Sequence, residues 1–194
     1  TTLRLLRERG ACEEGYRKLR HALGPLYGDH EPILLSHILE ANGLNDALWV
    51  LANAVSARVG NDCSVRRWHL SAELAAHVLH LYEQLYPLDV RVRSCIAAVQ
   101  AYADGRLQEV ELKVRAIEAY DAYTAAHPSV ASHAAFAAYG AAAYTVWFVA
   151  AHAAHAAYLA GVFEEERVWQ TERFRLVVGP DWARRLHHDV EVKP

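Results

Sequence analysis

A long stretch without any charged side chain places the strongest constraint on the fold of this chain. Between Ala122 and Phe163 there is no Asp, Glu, Lys or Arg, and alanine is the commonest residue. A helix that is apolar on every side is either buried inside a protein or crosses a membrane. The stretch is rich in alanine, tyrosine and serine rather than leucine and isoleucine, and His152 and His155 interrupt it, which argues against a spanning helix. We therefore predict a soluble protein with one central, buried Ala-rich helix over about residues 129–161.

The remaining segments carry helical periodicity, and turn signals separate them. Residues 64–86 have two neighbouring apolar seams, and residues 89–103 have one seam opposite a basic side. In the next helix, Val110, Val114 and Ile117 supply the apolar positions, so we expect them to face the core. No segment alternates apolar and polar residues for long enough to form a strand. The sequence therefore predicts an all-α fold, a multi-helix bundle around the Ala-rich helix.

The chain has 194 residues, 53% of them hydrophobic, which is enough for one domain with a substantial core. Its first part contains three or four short helices, one of which is expected to end at Asn42-Gly43. Helices this short are not stable alone and must dock on other structure. We predict that residues 1–60 form a short N-terminal helical segment packed on the main domain, and that residues 61–194 form the helical bundle domain.

Charge and cysteine content exclude several classes of protein. The formal charge of −3 argues against a strongly basic nucleic-acid binder. Cys12, Cys63 and Cys95 are widely spaced, which provides neither a disulfide framework nor a zinc module. The sequence begins without an apolar run typical of a signal peptide. These features predict a reducing, cytoplasmic setting and no membrane partner.

Histidines are the candidates for metal ligands. His77 and His80 are three residues apart on one helix, and His152 and His155 repeat this spacing on the Ala-rich helix. His133 would add a third ligand if the helices align. The alternative is that His77 and His80 are solvated and that the other pair consists of interior histidines hydrogen-bonded to tyrosine or backbone groups. No metalloenzyme motif is present, so this alternative is favoured, and the sequence predicts no metal, cofactor or catalytic residue.

Several motifs from about Cys63 to Val178 point to a known family. An Asp-x-Arg-x-Arg element begins at Asp89, and a Trp-Gln-x-x-Arg element begins at Trp169, on either side of the Ala-rich stretch. This arrangement resembles the immunity-protein domain found beside bacterial polymorphic toxins, with relatives in phage and other mobile elements. The residues from Gly10 to Gly15 resemble a short leader found ahead of that domain in some members. The resemblance implies that the protein binds and neutralises a toxin, and it carries no catalytic residues.

We therefore predict a non-catalytic immunity or inhibitor module whose partner is a toxin or a defence enzyme. The candidate recognition residues are the charged side chains expected on the outer face of one helix: Glu109, Glu111, Arg115 and Glu118. Two alternatives come from other classes of protein. One is a small metal-dependent enzyme that uses the histidines at the bundle centre. The other is a structural component of a phage or other assembly, in which the Ala-rich helix forms a homo-oligomer.

Overall fold

Every regular element in the described part of the chain is an α-helix. The computed structural model describes residues 1–54, 61–143 and 145–179, without the side chains of residues 61–63. Within these ranges there is no strand, so the predicted all-α class is confirmed. The helices described are α1 (Leu3–Glu8), α2 (Glu13–Leu23), α3 (Leu35–Asn42), α4 (Leu44–Asn53), α5 (Asn61–His77), α6 (Leu79–Glu83), α7 (Arg91–Ala103), α8 (Glu109–Ala126), α9 (Val130–Ala143), α10 (Val146–Leu159) and α11 (Phe163–Val178).

The described residues fall into two compact units. The first contains residues 1–54 and 171–179, and the second contains residues 61–143 and 145–170. In the first unit, α1 packs on α2, α2 on α3, and α3 on α4. The predicted helix end is confirmed, because α3 stops at Asn42 and Gly43 has a φ of +94°, a conformation that favours glycine. Packing stabilises these short helices through buried aliphatic side chains, which include Leu3, Leu6, Leu19, Ile38, Leu48 and Leu51.

Helix α9 lies at the centre of the second unit. It packs against α5, α6, α7, α8 and α10. Its buried positions are almost all small: Ala131, Ser132, Ala134, Ala135, Ala137, Ala138, Gly140 and Ala141. Because the distance between packed helices depends on the side chains at the contact, these small residues let the neighbouring backbones approach closely. Helix α9 is therefore an Ala-rich centre covered by five other helices, as the uncharged stretch predicts.

The prediction of one helix over residues 129–161 is wrong, because the Ala-rich segment forms two helices, α9 and α10. Thr145 has an extended backbone conformation immediately before α10. Gly140 lies against Phe148, and His133 lies against His155, so the two helices run antiparallel. A single helix of that length would span about 50 Å, more than the short surrounding helices could cover. Folding back buries the apolar faces of α9 and α10 against each other.

The break also shortens the apolar run. Among the described residues, no helix combines the length and the apolar character needed to cross a membrane.

A second predicted helix, over residues 64–86, is interrupted as well. There α5 ends at His77 and α6 begins at Leu79, so the buried residue Val78 separates the two helices.

Close packing around α9 predicts an asymmetric response to larger side chains. Ala138 is fully buried, and its carbonyl oxygen accepts a hydrogen bond from the Cys95 thiol of α7, whereas Ala151 on α10 is exposed. We expect Ala138→Leu to destabilise the protein by about 1–3 kcal/mol, because the extra atoms must displace packed neighbours. The matched control Ala151→Leu should change stability by less than about 0.5 kcal/mol. Urea unfolding followed by circular dichroism measures both, and equal effects would contradict the central position of α9.

Candidate partner-binding face

Helix α8 carries all four predicted recognition residues, and a capping box fixes its start. The Gln108 side chain accepts from the backbone of Glu111, and the Glu111 carboxylate accepts from the Gln108 backbone N–H at 3.3 Å. Two of the backbone donors left free at a helix start are thereby satisfied. Glu109 and Glu111 also place negative charge in the first turn, which complements the helix dipole.

The side of α8 that faces the core differs from the prediction. Its buried residues are Leu112, Ala116, Ala119, Ala122 and Ala126. The residues expected to face the core lie outside instead: Val110 is 66% exposed, Val114 is 50% exposed and Ile117 is 61% exposed. The prediction was wrong because it assigned the more hydrophobic row of α8, with its two valines and isoleucine, to the side that faces the core. Alanines suit the close approach of α8 to the small residues of α9, and the spacing of alanines in α8 was the signal that could have shown this.

The exposed side chains form an apolar stripe with charged flanks, and we call this surface the α8 face. Val110, Val114 and Ile117 are spaced by four and three residues, so they lie in one row along the helix, and exposed Tyr120 continues the row. The flanks carry two ion pairs, Glu109 with Lys113 at 2.6 Å and Arg115 with Glu118 at 2.8 Å. Such exposed pairs add little to stability and keep the flanks solvated.

A groove borders the α8 face on one side. Its volume is about 460 Å³, and its lining combines the side chains of Ile117 and Lys113 with aromatic rings of neighbouring helices. Trp68 of α5 and Tyr102 of α7 meet edge to face with ring centroids 5.1 Å apart, and Tyr139 of α9 lines the same groove. The apolar stripe therefore continues into an aromatic-lined depression.

The histidine pair His77 and His80 lies elsewhere in the second unit, and the two side chains differ. The Nδ1 of His77 lies 2.6 Å from Oε2 of buried Glu166, and its ring stacks on Trp169 with centroids 3.6 Å apart. His77 is therefore half-buried: its side chain is 37% exposed, and its ring is held by Glu166 and Trp169. His80 is exposed, as expected, and its Nδ1 donates to the backbone carbonyl of His77.

Three further histidines, His133, His152 and His155, lie close together on α9 and α10. His133 of α9 and His152 of α10 have their Nδ1 atoms 3.3 Å apart, and the ring of His155 lies 4.2 Å from that of His133, centroid to centroid. His155 is exposed, so it is not the interior histidine that was expected. Burial, together with repulsion from His133 and His155, lowers the pKa of His152 to about 4. Within the described residues, no group of three or more His, Cys, Asp or Glu side chains could hold a metal ion.

The two cysteines whose side chains are described, Cys12 and Cys95, lie in different surroundings. Cys95 is buried, and this burial raises the pKa of its thiol to about 12, so it packs as a small apolar residue. Cys12 is exposed, and its sulfur caps α2 by accepting from the Gly15 backbone N–H. The side chain of Cys63 lies outside the described residues.

Comparison with known proteins identifies the family. The family model described as "Imm-5 like putative immunity protein" matches residues 64–174. The chain belongs to this family. No curated protein and no solved structure matches it. The match covers the α8 face, both histidine pairs and the two motifs noted in the sequence, whereas α1–α4 lie outside it.

In this Imm5-like chain the Asp-x-Arg-x-Arg element forms a clamp at the start of α7. The Asp89 carboxylate accepts from the backbone and guanidinium of Arg91 and from the Tyr82 hydroxyl at 2.6 Å. The Arg91 guanidinium and the other donors hold the pKa of Asp89 well below its usual range. Arg93 pairs with Glu83 of α6 at 2.6 Å. The motif therefore joins α6 to α7.

The Trp-Gln element also takes part in hydrogen bonds that connect neighbouring helices. Glu166 is only 3% exposed, and its carboxylate accepts from Gln170 at 2.7 Å as well as from His77. The Gln170 side chain also donates to the Ala150 carbonyl oxygen of α10 at 3.2 Å. This network ties the first half of α11 to α5 and α10. Sequence reasoning missed Glu166, because it lies in a run of three glutamates of which the other two are exposed.

Replacing Glu166 should therefore lower the stability of the protein more than replacing its neighbour Glu165. Glu166→Ala removes the acceptor of the half-buried His77 ring and one of the two acceptors of the buried Gln170 amide, and we expect a loss of about 1–3 kcal/mol in the free energy of unfolding. Glu165→Ala removes an exposed carboxylate from the same turn and should change stability by less than about 0.5 kcal/mol. Chemical denaturation distinguishes the two, and a neutral Glu166→Ala would show that the network is not formed.

The Asp89 clamp predicts a pH-dependent difference in stability. Because its pKa is lower in the folded state, the Asp89 contribution is complete above its unfolded pKa of about 3.9 and is lost as the pH falls below that value. We expect Asp89→Asn to destabilise the protein by about 1–3 kcal/mol at neutral pH. The difference from the original protein should shrink below about pH 4 in urea titrations. A difference that is constant down to pH 3 would contradict the clamp.

Proposed function

We propose that this chain is a non-catalytic immunity protein that binds and neutralises a toxin protein, and that the α8 face makes the contact. Membership of the Imm5-like family supports a toxin protein as the partner. The observation that carries the choice of surface is the exposed stripe of Val110, Val114 and Ile117. Exposed apolar rows of this kind, bordered by polar residues, are typical of protein interaction sites.

The composition of the α8 face matches that of a protein interface. Interfaces combine an apolar centre with a polar, solvated rim. Here the stripe forms the centre, and the ion pairs of Glu109 with Lys113 and Arg115 with Glu118 form the rim. The capping box and the packed inner side hold α8 in place, so binding requires little ordering of the backbone.

The charge of the α8 face favours a partner with a basic surface. Four carboxylates and two cations surround the stripe: Glu109, Glu111, Glu118 and Asp121, with Lys113 and Arg115. The excess of negative charge would steer a basic partner and repel an acidic one. The four residues predicted from the sequence thus serve as the rim, and the apolar residues between them supply the contact area.

The oligomerisation alternative assigned the contact between copies to the Ala-rich segment. Most of α9 is instead buried inside its own unit against α5, α6, α7, α8 and α10. Its buried alanines therefore cannot reach a second copy without unfolding. This observation favours the α8 face as the binding surface.

A charge placed in the stripe should abolish neutralisation. Ile117→Glu removes apolar contact area and forces a carboxylate into the interface, so we expect the Kd for the toxin encoded by the neighbouring gene to rise by at least about thirtyfold. Co-expressed cells should lose protection. Calorimetry of the purified pair measures the affinity, and cell survival measures the protection.

Leu26→Glu provides the matched control, because Leu26 is 96% exposed and lies outside the family match. It should leave both affinity and protection unchanged. Retained protection in Ile117→Glu would contradict the proposed surface. The mass of the isolated chain can also be measured by light scattering. If Ile117→Glu lowers this mass, the α8 face joins two copies of the chain instead.

A further inference from the structure

The groove beside the α8 face has walls from four helices and room for a whole side chain. Trp68 of α5 and Tyr102 of α7 meet edge to face with ring centroids 5.1 Å apart, and Tyr139 of α9 lines the same groove. Helix α8 supplies another wall through Ile117 and the buried residue Leu112. The volume of the groove is about 460 Å³, whereas one water molecule in the liquid occupies about 30 Å³. A complete aromatic ring can therefore enter it.

The groove and the α8 face form one continuous surface. Ile117 belongs to both of them, and Tyr120, which continues the stripe, has its ring 5.1 Å from that of Tyr139, centroid to centroid. The wall formed by α8 is also held in place, because Leu112 and Ala116 are buried. A partner that covers the stripe therefore covers the groove as well, and it fills the groove without first having to open it.

The charges of the groove favour an uncharged occupant. Among the described residues that line it, Glu109 and Lys113 are the charged ones, and they pair with each other at 2.6 Å. An incoming cation would have to displace Lys113 from Glu109. A carboxylate would exchange water for aromatic and aliphatic side chains, which costs free energy. An aromatic ring instead packs against the rings of the lining and leaves the ion pair intact.

We propose that the groove receives an aromatic side chain of the toxin, and that this side chain anchors the contact made by the α8 face. The inference rests on the proposed function and adds the chemistry of the residue that the partner must present. Aromatic side chains seated in desolvated pockets near the centre of an interface carry a large share of its binding energy. The toxin should therefore expose a tryptophan, tyrosine or phenylalanine, bordered by basic residues that meet the carboxylates of the α8 face.

Filling the groove from inside tests the proposal. Ala142 lines the groove and is half-buried, so Ala142→Phe places a ring where the ring of the partner is expected. We expect the Kd for the toxin encoded by the neighbouring gene, measured by calorimetry, to rise by about tenfold or more. The matched control Ala151→Phe adds the same ring to an exposed alanine of α10 outside the groove lining, and it should leave the Kd unchanged. Unchanged affinity in Ala142→Phe, or an equal loss in Ala151→Phe, would overturn the proposal.

Substitutions in the toxin provide a second measurement. Each exposed tryptophan, tyrosine and phenylalanine of the toxin is replaced by alanine, and one of these changes should raise the Kd by about tenfold or more. Combined with Ala142→Phe, that toxin variant should show little further loss, because both changes remove the same contact. Far-UV circular dichroism confirms that each variant is folded, and Ile117→Ala, which shortens an exposed lining residue, takes the place of Ala142→Phe if that variant does not fold. If no aromatic substitution weakens binding, or if the two effects simply add, the proposal is wrong.

Val114→Glu separates a failure of this proposal from a failure of the proposed function, because Val114 belongs to the stripe but lies outside the groove lining. Loss of binding in Val114→Glu with full affinity in Ala142→Phe would overturn only the aromatic anchor and leave the α8 face as the toxin contact. The reverse result would support the groove and contradict the stripe. Absence of any toxin binding by the original chain would overturn both. If Ala142→Phe lowers the mass of the isolated chain in light scattering, a second copy occupies the groove, which also overturns the proposal.

Discussion

The close approach of small-residue helices around α9 is the constraint on which the rest of the second unit depends. Because α9 presents alanine, serine and glycine to its neighbours, the helices packed on it can approach its backbone closely. This close approach suits the inner side of α8, where Ala116 and Ala119 face inwards. It also brings α10 near enough for Gly140 to lie against Phe148. A core of this kind gains its stability from many short contacts rather than from a few large side chains.

The same constraint explains what the sequence could and could not predict. The absence of charge from Ala122 to Phe163 predicted a buried centre, and the helical periodicity of the other segments predicted the all-helical fold. It could not reveal the break between α9 and α10, because a segment that is apolar on every side has no periodicity to interrupt. Nor could the sequence orient α8, since the seam through Val110 is more hydrophobic than the alanine seam that is buried. The orientation depends on the shape of α9, which is a tertiary property.

The polar residues also include some that the sequence could predict and some that it could not. Asp89 and Trp169 were recognised as parts of motifs, and the structure shows that they brace helices. The buried partner of His77, Glu166, is eighty-nine residues away in the chain and lies among exposed glutamates, so no local pattern marks it. The convergence of His133 with His152 also depended on how two helices align. Spacing along the sequence places side chains on one face of one helix, but it does not pair faces of different helices.

The inner face of α8 has a consequence for how such proteins diversify. The buried residues of this helix are one leucine and a series of alanines, whereas Val110, Val114 and Ile117 lie on the outside. Substitutions at the outward positions can therefore accumulate without a penalty in folding. If the α8 face contacts a toxin, as proposed, a lineage that meets a new toxin can change this surface on an unchanged scaffold, because the residues that contact the toxin and those that pack in the core lie on opposite sides of the same helix.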